Sequence, residues 1–332
     1  TTTDNREGCA SRDTGLWRQN PLDARWSALT PPLNVTTAKG CVRAQISALA
    51  APAQSHTIFA STFHDGLLRS DDMGDHWKVV DAPLLPKELL AVATTPAFPQ
   101  AVFVAGWDLN LYASTDSGTS WTQINGSMTC RSRAQGVTLP ATLKVGALLA
   151  TADTIYVGTD RIGSLYPSAE DGLYASTDAG NCWKLIDSAG KRYIYRALAQ
   201  IPGTKDEILA LTYDTLAASK GEAKYHLWRL LGDHGRTSPL WESLYVVQTI
   251  AVTPGPEPTW YAAGNLGDVY RGPLEAKGAV EALHPFAFQA RCFFGGCFAG
   301  LAPDSQAGPP LLLMNARVYR RALVPWYRRL WP

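Results

Sequence analysis

The stretch SDDMGDHW at residues 70–77 recurs as STDSGTSW at 114–121 and as STDAGNCW at 176–183. The three copies share the form Ser-x-Asp-x-Gly-x-x-Trp. Short apolar segments flank each copy: GLLR, NLYA and GLYA precede them, and WKVV, WTQI and WKLI begin at their Trp. Asp and Gly favour tight turns, whereas the flanking segments favour strands. Each copy therefore predicts a turn between two antiparallel strands.

A wider repeat surrounds these turns. An apolar segment that ends in Pro occurs as ISALAAP (46–52), LAVATTP (90–96), RALAQIP (196–202), QTIAVTP (248–254) and CFAGLAP (297–303), and GALLATA (146–152) fills the remaining interval. A second and a third strand follow each segment, and a fourth strand carries Trp in most copies. A unit of four short strands that repeats about every 50 residues is typical of the blades of a β-propeller.

The sequence therefore predicts an all-β fold, a single six-bladed β-propeller domain over residues 1–332 with four-stranded antiparallel blades. Residues 15–29 contain two strands with no earlier partners, so we expect N- and C-terminal strands to close the ring together. RVYRR at 317–321 also has the pattern of a third strand, so the sequence leaves open which terminal strand closes blade six. The predicted blades span 42–82, 88–125, 143–187, 193–244, 247–284, and 296–324 plus 15–29.

The recurrent string resembles the Asp box of the BNR-repeat propellers, a family that includes sialidases, sortilin-type domains, some glycoside hydrolases and photosystem II assembly factors. GDHGRTSPLW at 232–241 is a degenerate copy. The residues themselves indicate a structural role: Asp accepts hydrogen bonds from its own turn, Gly adopts angles that are costly for other residues, and Trp packs between blades. These residues are Ser70, Asp72, Gly74, Trp77, Ser114, Asp116, Gly118, Trp121, Ser176, Asp178, Gly180 and Trp183.

The turns between second and third strands should share one face with the connections between blades, opposite the Asp boxes. Loops of this kind usually carry function in propellers. Carboxylates, Arg and Trp on this face suit a polar or carbohydrate ligand, although solvated turns would contain the same residue types. The candidate ligand residues are His64, Asp65, Trp107, Asp108, Arg131, Asp160, Arg161 and Asp268.

Resemblance to the sialidases would imply three Arg residues around a carboxylate, a Tyr–Glu nucleophile pair and an acidic Asp. The Arg-Ile-Pro string of that family is missing, and Arg18-Gln-Asn-Pro21 does not replace it. No motif of another hydrolase class is present. We assign no catalytic residue, so enzyme activity stays an open alternative: a sialidase-like or other glycoside hydrolase with its site on the same loop face.

The formal net charge is +1, which predicts no nucleic-acid partner. No apolar run is long enough to predict a membrane span. The six cysteines have no zinc spacing relative to the histidines, so we predict no metal and no cofactor.

An even number of cysteines without metal spacing favours disulfides and an exported protein in an extracellular, periplasmic or cell-surface location. The candidate pairs are Cys9–Cys41, Cys292–Cys297 and Cys130–Cys182. The last pair fits poorly, because Cys182 lies in an Asp box on the face opposite the 126–142 insertion. Asn34 and Asn125 lie in glycosylation sequons.

The segment RVYRRALVPWYRRLWP at 317–332 is the one concentrated cluster of positive charge in the sequence. It is either an exposed basic strand or a docking segment for an acidic partner or another copy of the chain. The docking residues would be Arg317, Arg320, Arg321, Trp326, Arg328, Arg329 and Trp331. The favoured function is a non-enzymatic binding or structural module that acts through protein–protein assembly or self-association; a carbohydrate partner is a further alternative.

Overall fold

The computed structural model describes residues 46–52, 55–63, 65–108, 110–125, 130, 137–141, 143–160, 171–188, 192–220, 225–231, 239–244, 246–253, 257–264, 269–275 and 280–283. Of 17–19, 26–28, 34–37, 40–43, 218–219, 283, 300–302, 311–314 and 317–319 it describes the backbone alone. The chain divides into two compact units, Thr1–Gln123 (unit 1) and Ile124–Pro332 (unit 2).

Unit 1 begins with two hairpins and continues with two four-stranded antiparallel sheets, which we call blades one and two. The hairpins are β1 (Trp17–Gln19) with β2 (Trp26–Ala28), and β3 (Asn34–Thr37) with β4 (Gly40–Arg43). Blade one contains β5 (Ile46–Ala50), β6 (Ile58–Thr62), β7 (Leu67–Ser70) and β8 (Lys78–Val79). Blade two contains β9 (Leu89–Thr95), β10 (Phe98–Gly106), β11 (Leu111–Ser114) and β12 (Thr122–Gln123).

Unit 2 contains three more four-stranded blades. Blade three has β13 (Val145–Ala150), β14 (Ile155–Thr159), β15 (Gly172–Ser176) and β16 (Lys184–Ser188). Blade four has β17 (Tyr193–Gln200), β18 (Glu207–Asp214), the short helix α1 (Thr215–Ser219), β19 (Tyr225–Leu231) and β20 (Trp241–Ser243). Blade five has β21 (Val247–Thr253), β22 (Thr259–Gly264), β23 (Val269–Pro273) and β24 (Glu281–Leu283). A three-stranded sheet follows, of β25 (Gly300–Ala302), β26 (Leu311–Met314) and β27 (Arg317–Tyr319).

The protein is thus an all-β propeller with four-stranded antiparallel blades, but the prediction of six blades is wrong. Within the described strands there are five four-stranded sheets. The strands expected to complete blade six do not join one sheet: β1 pairs with β2 over its whole length, and β27 is the outer strand of a sheet of three. A hairpin satisfies its own hydrogen bonds locally, so neighbouring strands pair with each other before they pair with distant ones.

The second strand of each blade is largely buried, and within each unit side chains of the neighbouring blade pack against it. In unit 1, Phe59 and Leu67 of blade one and Val102 and Val104 of blade two form a single apolar cluster. In unit 2, one cluster joins blades three and four, and another joins blades four and five. Each fully buried side chain of this type contributes about 1.5–3 kcal/mol to stability. Because these strands are buried on most of their length, their sequences are continuously apolar and show little alternation of polar and apolar residues.

A β-bulge near the start of the first strand is common to all five blades. The register between first and second strands shifts at Ser47, Leu90, Gly146, Arg196 and Gln248. A bulge changes the direction of one side chain and increases the local twist. These bulges lie at the end of each blade where the second strand passes into the loop toward the third.

Candidate functional site

Each Asp box is a turn closed by its own side chains. In blade two, Ser114 Oγ donates to Asp116 Oδ1 at 2.7 Å and accepts the Gly118 N–H at 2.8 Å. Asp116 Oδ1 also accepts the Ser120 N–H at 2.8 Å, and the Trp121 indole N–H donates to the Gly118 carbonyl at 3.1 Å. The boxes of blades one and three repeat these bonds. Aspartate serves here as an acceptor within the turn.

The backbone of each box requires two left-handed residues in succession. Met73 and Gly74, Ser117 and Gly118, and Ala179 and Gly180 all have positive φ angles. Glycine adopts this region without a Cβ penalty, which explains the fixed Gly of the motif. Hydrogen-bond donors around the carboxylates also favour their charged form. Bonds from Ser120 to Asp116, and from His76 to Asp72, hold the pKa of both carboxyls well below the usual range.

On the predicted loop face of unit 1, Trp107 is the most prominent side chain. It follows β10, is 53% exposed, and meets the Phe63 ring edge-on at a centroid distance of 6.2 Å. The Trp107 backbone N–H donates to the Glu88 carbonyl, while the Gly66 backbone N–H donates to the Lys87 carbonyl, both at 2.8 Å. The connection between blades one and two is therefore held between two neighbouring turns. We call Phe63 and Trp107 the aromatic pair.

Of the two acidic residues predicted for this face of unit 1, Asp108 is bound through its carboxylate and Asp65 through its backbone N–H. Asp108 accepts hydrogen bonds from the Asn110 side-chain amide at 2.8 Å and from the Tyr112 hydroxyl at 2.6 Å. Burial and the Asp108 bond raise the pKa of Tyr112 to about 12. The Asp65 N–H donates to Thr62 Oγ1 at 2.8 Å. These contacts fix the turns around the aromatic pair.

In unit 2, Asp160 lies directly after β14 and forms an ion pair between blades. Arg196, the bulge residue of blade four, donates from Nη1 to Asp160 Oδ2 at 2.7 Å. The Asp160 side chain is 3% exposed, and the Arg196 guanidinium also lies 6.0 Å from the centre of the Tyr213 ring. The ion pair therefore connects blade three to blade four. Sequence reasoning missed it, because no local pattern announces a bulge.

A second polar cluster surrounds the end of β18. Asp214 accepts the N–H groups of Leu216 and Ala217 at 3.0 Å, so it caps α1. It also pairs with Arg192 at 2.7 Å. Burial opposes ionisation of Asp214, but the hydrogen bonds from Arg192 and from the α1 amide outweigh it, so the pKa of Asp214 is lowered.

His226 of β19 belongs to the same cluster. It stacks on Trp228 and lies 3.2 Å from Glu242 Oε1. The cluster fixes the loop end of blade four.

Cys130 and Cys182 form a disulfide. The topological objection to this pair disappears because Cys130 and Val137, described residues of the insertion, contact Cys182 and Trp183 just before the outer strand of blade three. Val137 and Trp183 exchange both backbone hydrogen bonds there, at 2.7 and 2.9 Å. Asn125 is 2% exposed, and its side-chain amide donates to the Leu143 carbonyl at 3.4 Å. A glycan on Asn125 would require that amide to leave its buried position.

Many of the predicted site residues lie outside the described part of the chain. Of the ligand face these are His64, Arg131, Arg161 and Asp268, and of the disulfide candidates Cys9, Cys292 and Cys297. The docking residues Arg320, Arg321, Trp326, Arg328, Arg329 and Trp331 lie outside it as well. Asn34, Cys41 and Arg317 are described as strand backbone only.

Comparison with known families gives a match over part of the chain. The family model described as "Sortilin, neurotensin receptor 3" matches residues 65–232, more than half of the chain. No curated protein matches. No helix among the described residues is long and apolar enough to cross a membrane.

Solved structures share the fold at low identity. The GH74 xyloglucanase from Xanthomonas campestris has a TM-score of 0.59 and 17% identity; the match covers 91% of this chain and 48% of that one. This chain thus spans about half the length of the xyloglucanase. A chain of the nidogen/laminin complex has a TM-score of 0.52, 11% identity and coverage of 81% and 89%. YCF48 from Cyanidioschyzon merolae has a TM-score of 0.52, 12% identity and coverage of 85% and 84%. Likenesses at these identities establish a shared propeller fold.

Proposed function

The chain belongs to the Sortilin-Vps10 family, and from this premise we propose that it is an exported propeller that binds proteins and catalyses no reaction of its own. The aromatic pair carries the proposal. Trp is strongly enriched among the residues that dominate binding energy at protein interfaces. Trp107 presents half of its surface to solvent, its ring meets the Phe63 ring edge-on, and its backbone N–H donates to the Glu88 carbonyl. A fixed aromatic side chain loses little entropy when a partner covers it.

The contacts of the acidic residues at the loop ends of the blades support binding over hydrolysis. A glycoside hydrolase needs two carboxylates that flank a sugar. Asp108 accepts from Asn110 and Tyr112, Asp160 from Arg196, and Asp214 from Arg192 and the amides of α1. These three carboxylates thus have a structural use. The Cys130–Cys182 disulfide supports an exported location, because disulfides persist in oxidising compartments.

Site-specific photo-crosslinking tests this function. A benzoylphenylalanine probe replaces Trp107 in the full chain, expressed in its native host, and a control probe replaces Leu185, an exposed apolar residue on β16. We expect a discrete crosslinked protein from position 107 and none from position 185. Equal labelling from both positions would show non-specific contact and contradict the proposal.

An activity assay tests the absence of catalysis. The intact protein is incubated with xyloglucan and with a sialylated glycoprotein, and released sugars are measured. We expect no release above that of heat-treated protein. Turnover that survives purification to homogeneity would favour the glycoside hydrolase instead.

A further inference from the structure

His226 is a buried histidine between two carboxylates, and the proposed function does not use it. It lies on β19 and is 4% exposed. Its Nε2 lies 3.6 Å from Asp214 Oδ2 of β18, and its Nδ1 lies 3.2 Å from Glu242 Oε1 of β20. The two carboxylates thus face opposite nitrogens of one imidazole ring, from the strands on either side of β19.

The strand registers show that the fold does not require a histidine at this position. In blades one to four, a leucine of the third strand pairs with the end of the second strand: Leu67 with Ser61, Leu111 with Ala105, Leu173 with Gly158 and Leu227 with Leu211. The residues immediately before these leucines are Gly66, Asn110, Gly172 and His226. A glycine or an asparagine is sufficient in the other three blades, so the histidine of blade four needs another explanation.

Blade two shows the contact that a neutral side chain makes at this place. Asn110 occupies the position of His226, and its side-chain amide donates to Asp108 at 2.8 Å. Asp108 corresponds to Asp214, because each lies two residues beyond the second-strand residue that pairs across the β-bulge. An amide donates at every pH, whereas an imidazole nitrogen donates only when it carries a proton. Blade four therefore has a titratable donor where blade two has a permanent one.

The geometry favours the imidazolium form of His226. A neutral ring carries one N–H and one lone pair, so it can donate to one of the two carboxylates while the other faces the lone pair. An imidazolium can donate to both. Burial opposes the charge, but opposite charges within about 4 Å favour it. The ring also stacks on Trp228 at a centroid distance of 5.5 Å, and an indole face attracts a cation.

Arg192 and Tyr193, at the start of the first strand of the blade, also face this cluster. Arg192 donates to Asp214 Oδ2 from Nε at 2.8 Å and from Nη2 at 2.7 Å. Because Arg192 shares the oxygen that faces His226, it weakens the attraction from that side. Tyr193 meets the His226 ring edge-on at a centroid distance of 5.5 Å. Glu242 Oε1 is the nearer of the two carboxylate oxygens, so Glu242 provides the stronger attraction.

We propose that His226 is a pH-sensitive link that fixes the outer strand of blade four. The charged ring joins Asp214, at the end of β18, to Glu242 of β20. When the ring loses its proton to solvent, one of the two contacts is lost and the end of β20 loosens. The link stabilises the folded chain in acid, and this contribution is lost as the pH rises, because the folded state holds the proton more tightly than the unfolded state.

The link acts on an exposed apolar connection. The strand β20 has three residues, and Leu244 and Val246 follow it with exposed fractions of 67% and 40%. The mobility of this connection to blade five should therefore increase with the pH. The link goes beyond the proposed function and lies in unit 2, whereas the aromatic pair lies in unit 1. Its failure would leave the crosslinking test at position 107 unchanged.

Nuclear magnetic resonance of the full chain with isotope-labelled histidine rings tests the proposal. The His226 signals are identified by their proximity to the Trp228 ring. We expect both His226 nitrogens to carry protons at about pH 6. Glu242→Gln should weaken protonation of His226 roughly fivefold, the size expected for an ion pair with one half-exposed member. Glu257→Gln, at an exposed residue before β22, is the matched control and should leave the titration unchanged.

Hydrogen exchange at the amides of β20 gives a second readout. After correction for the intrinsic rate, we expect exchange to be roughly fivefold slower at about pH 6 than at about pH 8 in the wild type. His226→Asn, which copies blade two, should remove this difference. A ring that is neutral at the lower pH would overturn the proposal, as would equal effects of Glu242→Gln and Glu257→Gln, or a pH difference that His226→Asn retains. Glu242 is half exposed, so Glu242→Gln decides the question if His226→Asn does not fold.

Discussion

The Asp-box aspartates act through hydrogen bonds inside a turn, and this has a consequence for acid stability. Asp116 accepts from the N–H groups of Thr119 and Ser120 and from the Ser120 hydroxyl. These donors lower its pKa in the folded chain. A group with a depressed folded pKa contributes stability above its unfolded pKa of about 4, and this stability is lost as the pH falls through the folded value.

We therefore predict that Asp116→Asn lowers the melting temperature at pH 7, and that its difference from the wild type shrinks once the pH falls below about 4. Thermal unfolding followed by circular dichroism across this range provides the measurement. Asp81→Asn, at an exposed residue in the connection after blade one, is the control. A pH-independent difference would show that the carboxylate charge is irrelevant to the turn.

The Asp160–Arg196 ion pair leads to a second prediction at this scale. Arg196→Ala leaves a carboxylate that is 3% exposed without its cation, so we expect a loss of about 3 kcal/mol of unfolding free energy. Adding Asp160→Asn removes the buried charge and should recover much of that loss. Urea unfolding of the two single variants and the double variant completes the cycle. Additive single effects would show that the two side chains do not interact.

At the scale of the element, the 126–142 insertion is fixed to the outer edge of blade three at two points, the disulfide and the Val137–Trp183 bridge. The disulfide closes a loop with a sequence separation of 52. Replacing both Cys130 and Cys182 by Ser should cost about 2–4 kcal/mol. Urea unfolding tests this, and amide exchange should speed up at Val137 and Trp183. Unchanged exchange at both amides would mean that the bridge holds the insertion without the disulfide.

The Asp-box turns could be predicted from the sequence because all their bonds join residues within eight positions. The blade to which a strand belongs is decided by contacts between residues that are far apart in the sequence. The sequence shows that β1 and β2 are strands, but whether they pair with each other or with β27 depends on contacts between distant residues, and the prediction of six blades failed there. The Asp160–Arg196 pair was missed for the same reason, since it depends on how blade three faces blade four. The BNR-type resemblance was confirmed because it depends on the local motif.

At the scale of the whole molecule, the five described four-stranded blades share one construction and differ at a few positions. The aromatic pair comes from the turns that follow β6 and β10 of unit 1. In unit 2, Ala175 of blade three stands at the register position that Arg69 has in blade one. The repeated bulges and Asp boxes form the common structure of the blades, and the blades differ from one another at these few positions.

The most direct test of the binding function is the affinity of the protein that crosslinks from position 107, measured with the wild type and with Trp107→Ala. Loss of a central interface Trp typically costs about 2 kcal/mol or more, so the variant should bind roughly 30-fold more weakly. Leu185→Ala should bind as the wild type does. A Trp107→Ala protein with an unchanged melting temperature and an unchanged dissociation constant would contradict the account.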